Sequence, residues 1–520
     1  MPLASAARPV GVGAITAEHD GADQPRAVAA SGVVPPLATR GVLVIAGVVA
    51  AVHLVAAATQ AQWFDEAYML SIGRFHLDWG SADQPPVTPL LALLMDWIAP
   101  GSVLAQRLPA VLATTAAVVL AALLARELGG DRRAQLITAG AQATALSAAI
   151  LGHWLTPYSL EPFEWLALVW LLVRWVRLRD DRLLLALGVT AGVAAETKFQ
   201  VLLLCAVLLL CVLVVGPREL LARPSLWAGA AIGAVLAAPT VLWQAVHGWP
   251  QLRMGAVVAR EVETQSGGRP DIAFGLVQMA GYAGIVLALY GGWWLWRAGE
   301  LRQYRFLGAT ATVMYLFFVV TEGRNYYLSG LYGILAAAGA VGLQRRREAG
   351  RRRWRWVAGP AFGLSAAAAA GTLLVFSLPN QPYFPASLAR QGETMYQHTA
   401  AAYRMLTPSQ RDRTAIVAES YIVAAYLDSY SHKTGIPAAY STNRAYGYFP
   451  PPPDQVDAAL YVGSIPEELR PYFADERKVA DSVWLCTGRR EPWASVWPKL
   501  RHLSTELTPF APVGAPEHRG

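Results

Sequence analysis

A succession of apolar runs, each about the length of one bilayer crossing, constrains this chain more than any other feature. Runs near residues 41–60, 108–126, 135–152, 159–176, 183–197, 199–215, 226–244, 273–296, 306–320, 328–343 and 357–377 read as transmembrane helices, about eleven in all. The fifth and sixth share the apolar stretch 183–215, interrupted at Glu196-Thr197-Lys198. One helix over all of it would be about 50 Å long, against a hydrocarbon core of about 30 Å. Two short or tilted helices turning at Lys198 fit better.

The composition agrees. Of the 520 residues, 54% are hydrophobic and only 15% are charged, less charge than a soluble domain of this size carries. Eighteen Trp and twenty Tyr suit aromatic belts at two water interfaces. The formal charge of +7 does not point to nucleic acid, because the arginines gather in short loops between apolar segments. Every second loop is arginine-rich: 126–133, 174–182, 218–223, 297–305 and 345–355. This bias puts the N-terminus in the cytoplasm and the intervening loops outside, at the plasma (inner) membrane. Three cysteines form neither a disulfide framework nor a zinc spacing.

Residues 1–40 are Ala/Pro/Gly-rich, lack a secretory-signal pattern, and are expected to be a disordered cytoplasmic tail. Residues 41–377 form the membrane domain. From 378 to 520 the apolar spans stop. Ala415–Ala418, Ala438–Ser441 and Ala458–Val462 read as strands and Tyr421–His432 as a helix, so an extracytoplasmic α/β domain with some parallel pairing is expected.

Chemistry-bearing residues converge on the outer face. Asp65 and Glu66 follow the first span, where paired acids are costly if buried. A carboxylate there can serve as a general base or bind a divalent metal. It can equally cap a short interfacial helix. Lys198 can offer a point charge to phosphate or snorkel beside Glu196. Glu161 and Glu164 open the fourth span, as dipole caps or as further acids near Asp65. Trp243 and His247 end the seventh span, as a sugar or phosphate contact or as belt and turn. Arg324 suits a phosphate fork, and Tyr326 and Tyr327 suit sugar stacking, or all three anchor the interface.

Five stretches, FDEAYML at 64–70, DQPPVTPLLALL at 83–94, TKFQVLLL at 197–204, PTVLWQAVHGWPQL at 239–252 and EGRNYYLSGLYGILAAAGA at 322–340, resemble the GT-C polytopic glycosyltransferases. The branch is that of the protein O-mannosyltransferases and the lipid A aminoarabinose transferase (family 39 type). The resemblance spans most of residues 41–345. It implies a GT-C membrane domain, a polyprenyl-phosphate-linked sugar as donor, and a glycan, lipid or protein hydroxyl of the cell envelope as acceptor. It places Asp65 as catalytic base or orienting acid with Glu66 as its partner. Lys198 falls at the donor-phosphate lysine, and Glu161 at another outer-loop acid. Gln84 stands where many relatives have the histidine of His-Pro-Pro, which leaves a divalent metal on Asp65 and Glu161 an open expectation. The expected reaction is an inverting transfer of a hexosyl or pentosyl group. A flippase of lipid-linked sugars and a non-catalytic scaffold are the rival readings. The charges cluster on one face and no internal repeat is visible, which disfavours a transporter.

Overall fold

The computed structural model describes residues 34–351, 355–378, 385–433 and 435–505. The expected N-terminal tail lies outside the described residues up to residue 33, and chain order begins with α1, Thr39–Thr59. Two short helices, α2 (Phe64–Phe75) and α3 (Val87–Ile98), follow at one end of the bundle. The bundle continues with α4 (Val103–Glu127), α5 (Arg132–Ala143), α6 (Leu146–Leu151), α7 (Pro157–Leu178), α8 (Arg182–Ala195), α9 (Gln200–Val215) and α10 (Pro224–Val246). After α11 (Pro250–Ser266) come α12 (Arg269–Gln278), α13 (Gly281–Arg297), α14 (Arg305–Val320), α15 (Tyr332–Glu348) and α16 (Arg355–Phe376). A helix lies at every expected span. Five helical segments are individually long and apolar enough to cross a membrane, and the pair α12–α13 makes a sixth candidate among the described residues. The break foreseen at Glu196–Lys198 is present: α8 stops at Ala195 and α9 starts at Gln200.

Two expected spans, 135–152 and 273–296, are broken rather than continuous. The first parts between α5 and α6, and α12 meets α13 at a 96° bend. The breaks meet each other. The Ser147 amide donates to the Met279 carbonyl at 3.0 Å, and Ser365 Oγ accepts from the Ala283 amide at 2.8 Å. Backbone groups freed at each break thus find partners inside the protein, a requirement where no water is at hand.

Glycine sets the closest helix packing. A Cβ added at Gly188 of α8 would fall 2.0 Å from the Gly229 carbonyl oxygen of α10. A Cβ at Gly339 of α15 would fall 2.2 Å from the Leu287 oxygen of α13. Only backbone meets backbone there, as small-residue interfaces allow in apolar surroundings.

Charge is sorted to the two ends. At one end Glu127, buried at the close of α4, accepts from Arg174 at 3.0 Å and Arg177 at 2.6 Å, and Arg347 pairs with Asp131. At the other end Arg107, on the first turns of α4, is fully buried against Glu66 at 2.6 Å. Its guanidinium also donates to the carbonyls of Ala57, Gln60 and Ala61, satisfying the end of α1 and the turn after it.

The C-terminal part contains α17 (Pro385–Met405), α18 (Pro408–Arg411), β1 (Thr414–Ala418), α19 (Tyr421–Tyr430), β2 (Tyr440–Ser441), β3 (Ala458–Val462), β4 (Asp475–Ala480), β5 (Val483–Thr487) and α20 (Trp493–Leu500). The sheet order is β2-β1-β3-β5-β4, with the first three strands parallel and β5 and β4 antiparallel additions. The three expected strands and the helix are present. The strands β4 and β5 were not foreseen; β4, with Asp475, Glu476, Arg477 and Lys478, is a charged outer strand. The carboxyl ends of β1 and β2 lead into Tyr421 and Arg444. The fold is tied to α2 by buried Asp428, which accepts from Ser71 at 2.5 Å and Tyr446 at 2.7 Å. Desolvation raises the Asp428 carboxyl to about 6.

Candidate active site

A cavity of about 1070 Å³ opens where α2, the 83–85 turn, α7, the α8–α9 turn, α11, the 321–327 turn and the C-terminal domain meet. Its wall is chemically mixed. Ile150, Trp154, Phe199, Leu203, Phe317 and Phe376 are among its apolar lining. Asp65, Asp83, Lys198, Glu261, Arg324 and Arg444 are its charged lining.

Asp65 lies in the first turn of α2. The cap of that helix is Trp63, whose amide donates to Glu66 at 3.0 Å, so Asp65 is free of capping. The Tyr158 hydroxyl donates to Asp65 Oδ2 at 3.0 Å and itself accepts from Trp63 Nε1 at 3.0 Å. Burial pushes the Asp65 carboxyl up to about 6. The Tyr158 hydrogen bond and the Arg444 and Arg324 charges pull the other way, and Asp83 adds to the rise. That value suits a base working near neutral pH.

Glu66, expected as the second catalytic acid, faces away from the cavity. Its carboxylate is consumed by Arg107 and by the amides of Trp63 and Leu155, at 3.0 and 3.1 Å. One helical step turns neighbouring side chains by about 100°, which sends the two acids of the pair to different environments.

Lys198 and Arg324 both line the cavity with Asp65. Lys198 Nζ is 2.8 Å from Glu161 and lies over the Tyr327 ring at 4.5 Å and the Tyr326 ring at 5.5 Å. Both tyrosines line the cavity, and the Tyr326 ring is 5.0 Å from the Tyr158 ring. Glu161 is behind Lys198 and orients it, rather than facing the cavity beside Asp65. Gln84 lines the cavity and donates to Asp83 at 3.3 Å. Trp243 and His247, expected as substrate contacts, are outside the wall. The His247 ring stacks on Trp243 at 3.8 Å and holds its carbonyl at 2.8 Å, while Trp243 Nε1 donates to Asp78. They close the end of α10.

Metal chemistry finds no prepared donor set among the described residues: no three His, Cys, Asp or Glu gather there. Asp65 is engaged by Tyr158 and Glu161 by Lys198, so an ion shared by the two acids would have to displace the ammonium.

Several residues escaped the sequence reading. Asp83 precedes the noted Gln84-Pro85-Pro86, accepts from Tyr68 at 2.8 Å, and has its carboxyl raised chiefly by burial. Its place in that motif was the available signal. Tyr158 stood in the outer loop at 153–158 without an assigned role; Glu261, Tyr421 and Arg444 carried no signal, since each comes from a segment whose partner is distant in sequence.

Fold and site together define a polytopic helical membrane protein with a C-terminal α/β domain and a charged cavity between the two. Residues 83–243, about a third of the chain, match the family described as dolichyl-phosphate-mannose-protein mannosyltransferase. The structure is similar to ArnT from Cupriavidus metallidurans in the apo state, with a TM-score of 0.58 and 16% identity, covering 88% of this chain and 100% of that one. ArnT bound to undecaprenyl phosphate gives 0.55 at 16%, covering 87% and 100%. The apo oligosaccharyltransferase of Archaeoglobus fulgidus gives 0.50 at 13%, covering 75% and 64%. At such identities the likeness is one of fold, and it agrees with the resemblance read from the motifs. No curated protein sequence is detectably similar to the chain.

Proposed function

We propose that the protein is a membrane glycosyltransferase that moves a sugar from a polyprenyl-phosphate carrier to an acceptor hydroxyl on the outer side of the membrane. The observation that carries this reading is the convergence of Asp65, Lys198 and Arg324 on one cavity that also has apolar lining. A prenyl tail gains roughly 0.8 kcal/mol for each methylene it buries, so an apolar wall beside cations suits a lipid phosphate. The family match at 83–243 and the relative crystallised with undecaprenyl phosphate support the donor class. The arginine-rich end of the bundle faces the cytoplasm by the positive-inside bias, and the cavity faces outward.

In the reaction Asp65 accepts the proton of the acceptor hydroxyl. The oxygen attacks the anomeric carbon from the face opposite the carrier, with inversion. The bond from that carbon to the phosphate oxygen breaks, and the electron pair leaves with the lipid phosphate. Lys198 and Arg324 offset the charge that develops there. The transferred group is a hexose or pentose, and the acceptor a glycan, lipid or protein of the envelope. Metal assistance, if the donor brings an ion with it, would act on the phosphate and not on a protein-held site. The test is reconstituted transfer of radiolabelled sugar from polyprenyl-phosphate donors. Wild type transfers, and Asp65→Asn inserts and folds but does not; normal transfer by that variant removes Asp65 from the mechanism.

A further inference from the structure

Glu261, on α11, is buried and bridges two arginines from different parts of the chain. Its Oε2 accepts from Arg324 at 2.6 Å and its Oε1 from Arg444 at 2.6 Å, with the Thr505 amide at 3.3 Å. All four residues line the cavity. Arg444 comes from the C-terminal domain, just past the carboxyl end of β2, where ligands gather in α/β sheets. Its backbone is left-handed, φ 54°, a conformation that non-glycine residues rarely adopt and that costs energy. Packing overrides that cost to hold a guanidinium in the cavity wall, over the Tyr421 ring at 5.2 Å and 3.7 Å from Asp83. Two guanidiniums and an amide converging on one pair of oxygens form the donor set that an oxyanion needs.

We infer that the Glu261 carboxylate is an internal stand-in for a phosphate group, and that a phosphate-bearing ligand takes its place between Arg324 and Arg444. The C-terminal domain is thereby part of the binding site, through Arg444. This rests on the glycosyl-transfer reading for the identity of the ligand as a lipid phosphate. The placeholder keeps the two guanidiniums paired while the cavity is empty, since like charges left facing each other in a buried wall are costly. It also competes with the ligand, so removing its charge strengthens phosphate binding while removing an arginine weakens it.

The experiment measures binding of three probes to the full-length protein in nanodiscs: undecaprenyl phosphate, undecaprenol and inorganic phosphate. Arg444→Gln is expected to weaken undecaprenyl phosphate at least about tenfold and leave undecaprenol unchanged, with Arg444→Lys in between. Glu261→Gln is expected to bind undecaprenyl phosphate about tenfold more tightly. If Glu261→Gln does not accumulate folded, Glu261→Asp replaces it, because its shorter carboxylate cannot reach both guanidiniums and should also bind tighter. A response to inorganic phosphate alone shows that the headgroup suffices; a response only to the lipid phosphate shows that the tail is also needed, and both keep the inference. Equal affinities in wild type, Arg444→Gln and the Glu261 variant overturn it, as does parallel weakening of undecaprenol. Failure of wild type to bind any phosphate probe overturns the donor reading instead.

Discussion

Asp65 and Glu66 are consecutive residues with opposite fates: Asp65 meets the Tyr158 hydroxyl at 3.0 Å in the cavity wall, and Glu66 meets Arg107 at 2.6 Å in a fully buried pair. One carboxylate is left to chemistry because the other is spent on architecture. Glu66 and Arg107 between them join the end of α1, the start of α2, the start of α4 and the Leu155 amide.

The two acids should therefore fail differently. Asp65→Asn keeps wild-type thermal stability and loses transfer. Glu66→Gln leaves the Arg107 guanidinium buried without its counter-charge, a change that costs roughly 3–5 kcal/mol. Thermal unfolding in detergent, run beside the transfer assay, separates the two outcomes. A stable but inactive Glu66→Gln would return Glu66 to the catalytic site.

Activity should fall on the acid side of about pH 6. The Asp65 carboxyl is held near that value, above its usual range, so the ionised base predominates only above it. Below it, kcat/KM should drop about tenfold per pH unit, as for any single essential base. Tyr158→Phe removes a hydrogen bond that favours the ionised form and should move the limb upward. A flat profile between pH 5 and 7 would contradict the role given to Asp65.

Lys198 and Glu161 form a pair whose two functions can be separated. Lys198→Met removes the phosphate contact proposed above and strands a buried carboxylate, so both donor affinity and stability should fall. The double variant Lys198→Met with Glu161→Gln should recover most of the stability and none of the affinity. Recovery of donor binding in the double variant would mean that Lys198 serves only to neutralise Glu161.

Helix packing offers a control far from the chemistry. Gly188→Val would drive a side chain into the Gly229 carbonyl and force α8 from α10, costing at least about 1–3 kcal/mol. Gly47→Ala on α1, where a Cβ meets nothing within 4 Å, should be neutral or slightly stabilising. The melting temperatures of the two variants decide the point.

Much of the fold was legible because bilayer thickness and loop charge are physical rulers applied to local sequence. Asp65, Lys198 and Arg324 stood out for a related reason: charge at the edge of an apolar run has to be explained. Glu66 misled because adjacency in sequence says nothing about direction around a helix. His247 and Trp243 misled because a ring that closes its own helix end carries the same residue types as a sugar contact. Arg444 and Glu261 were out of reach, since their meaning arises only when α11 and the C-terminal domain come together. The helix breaks at 144–145 and 279–280 were hidden because apolar content over a window records burial in lipid and not backbone continuity.

Those two breaks also impose an order of events during synthesis. The Ser147 amide finds its acceptor far along the chain; the Met279 carbonyl emerges from the ribosome only after α7 to α12 have been made. Until then that amide lacks its native acceptor. A chain truncated before α12 would lack that acceptor, and the join between the two breaks could not form.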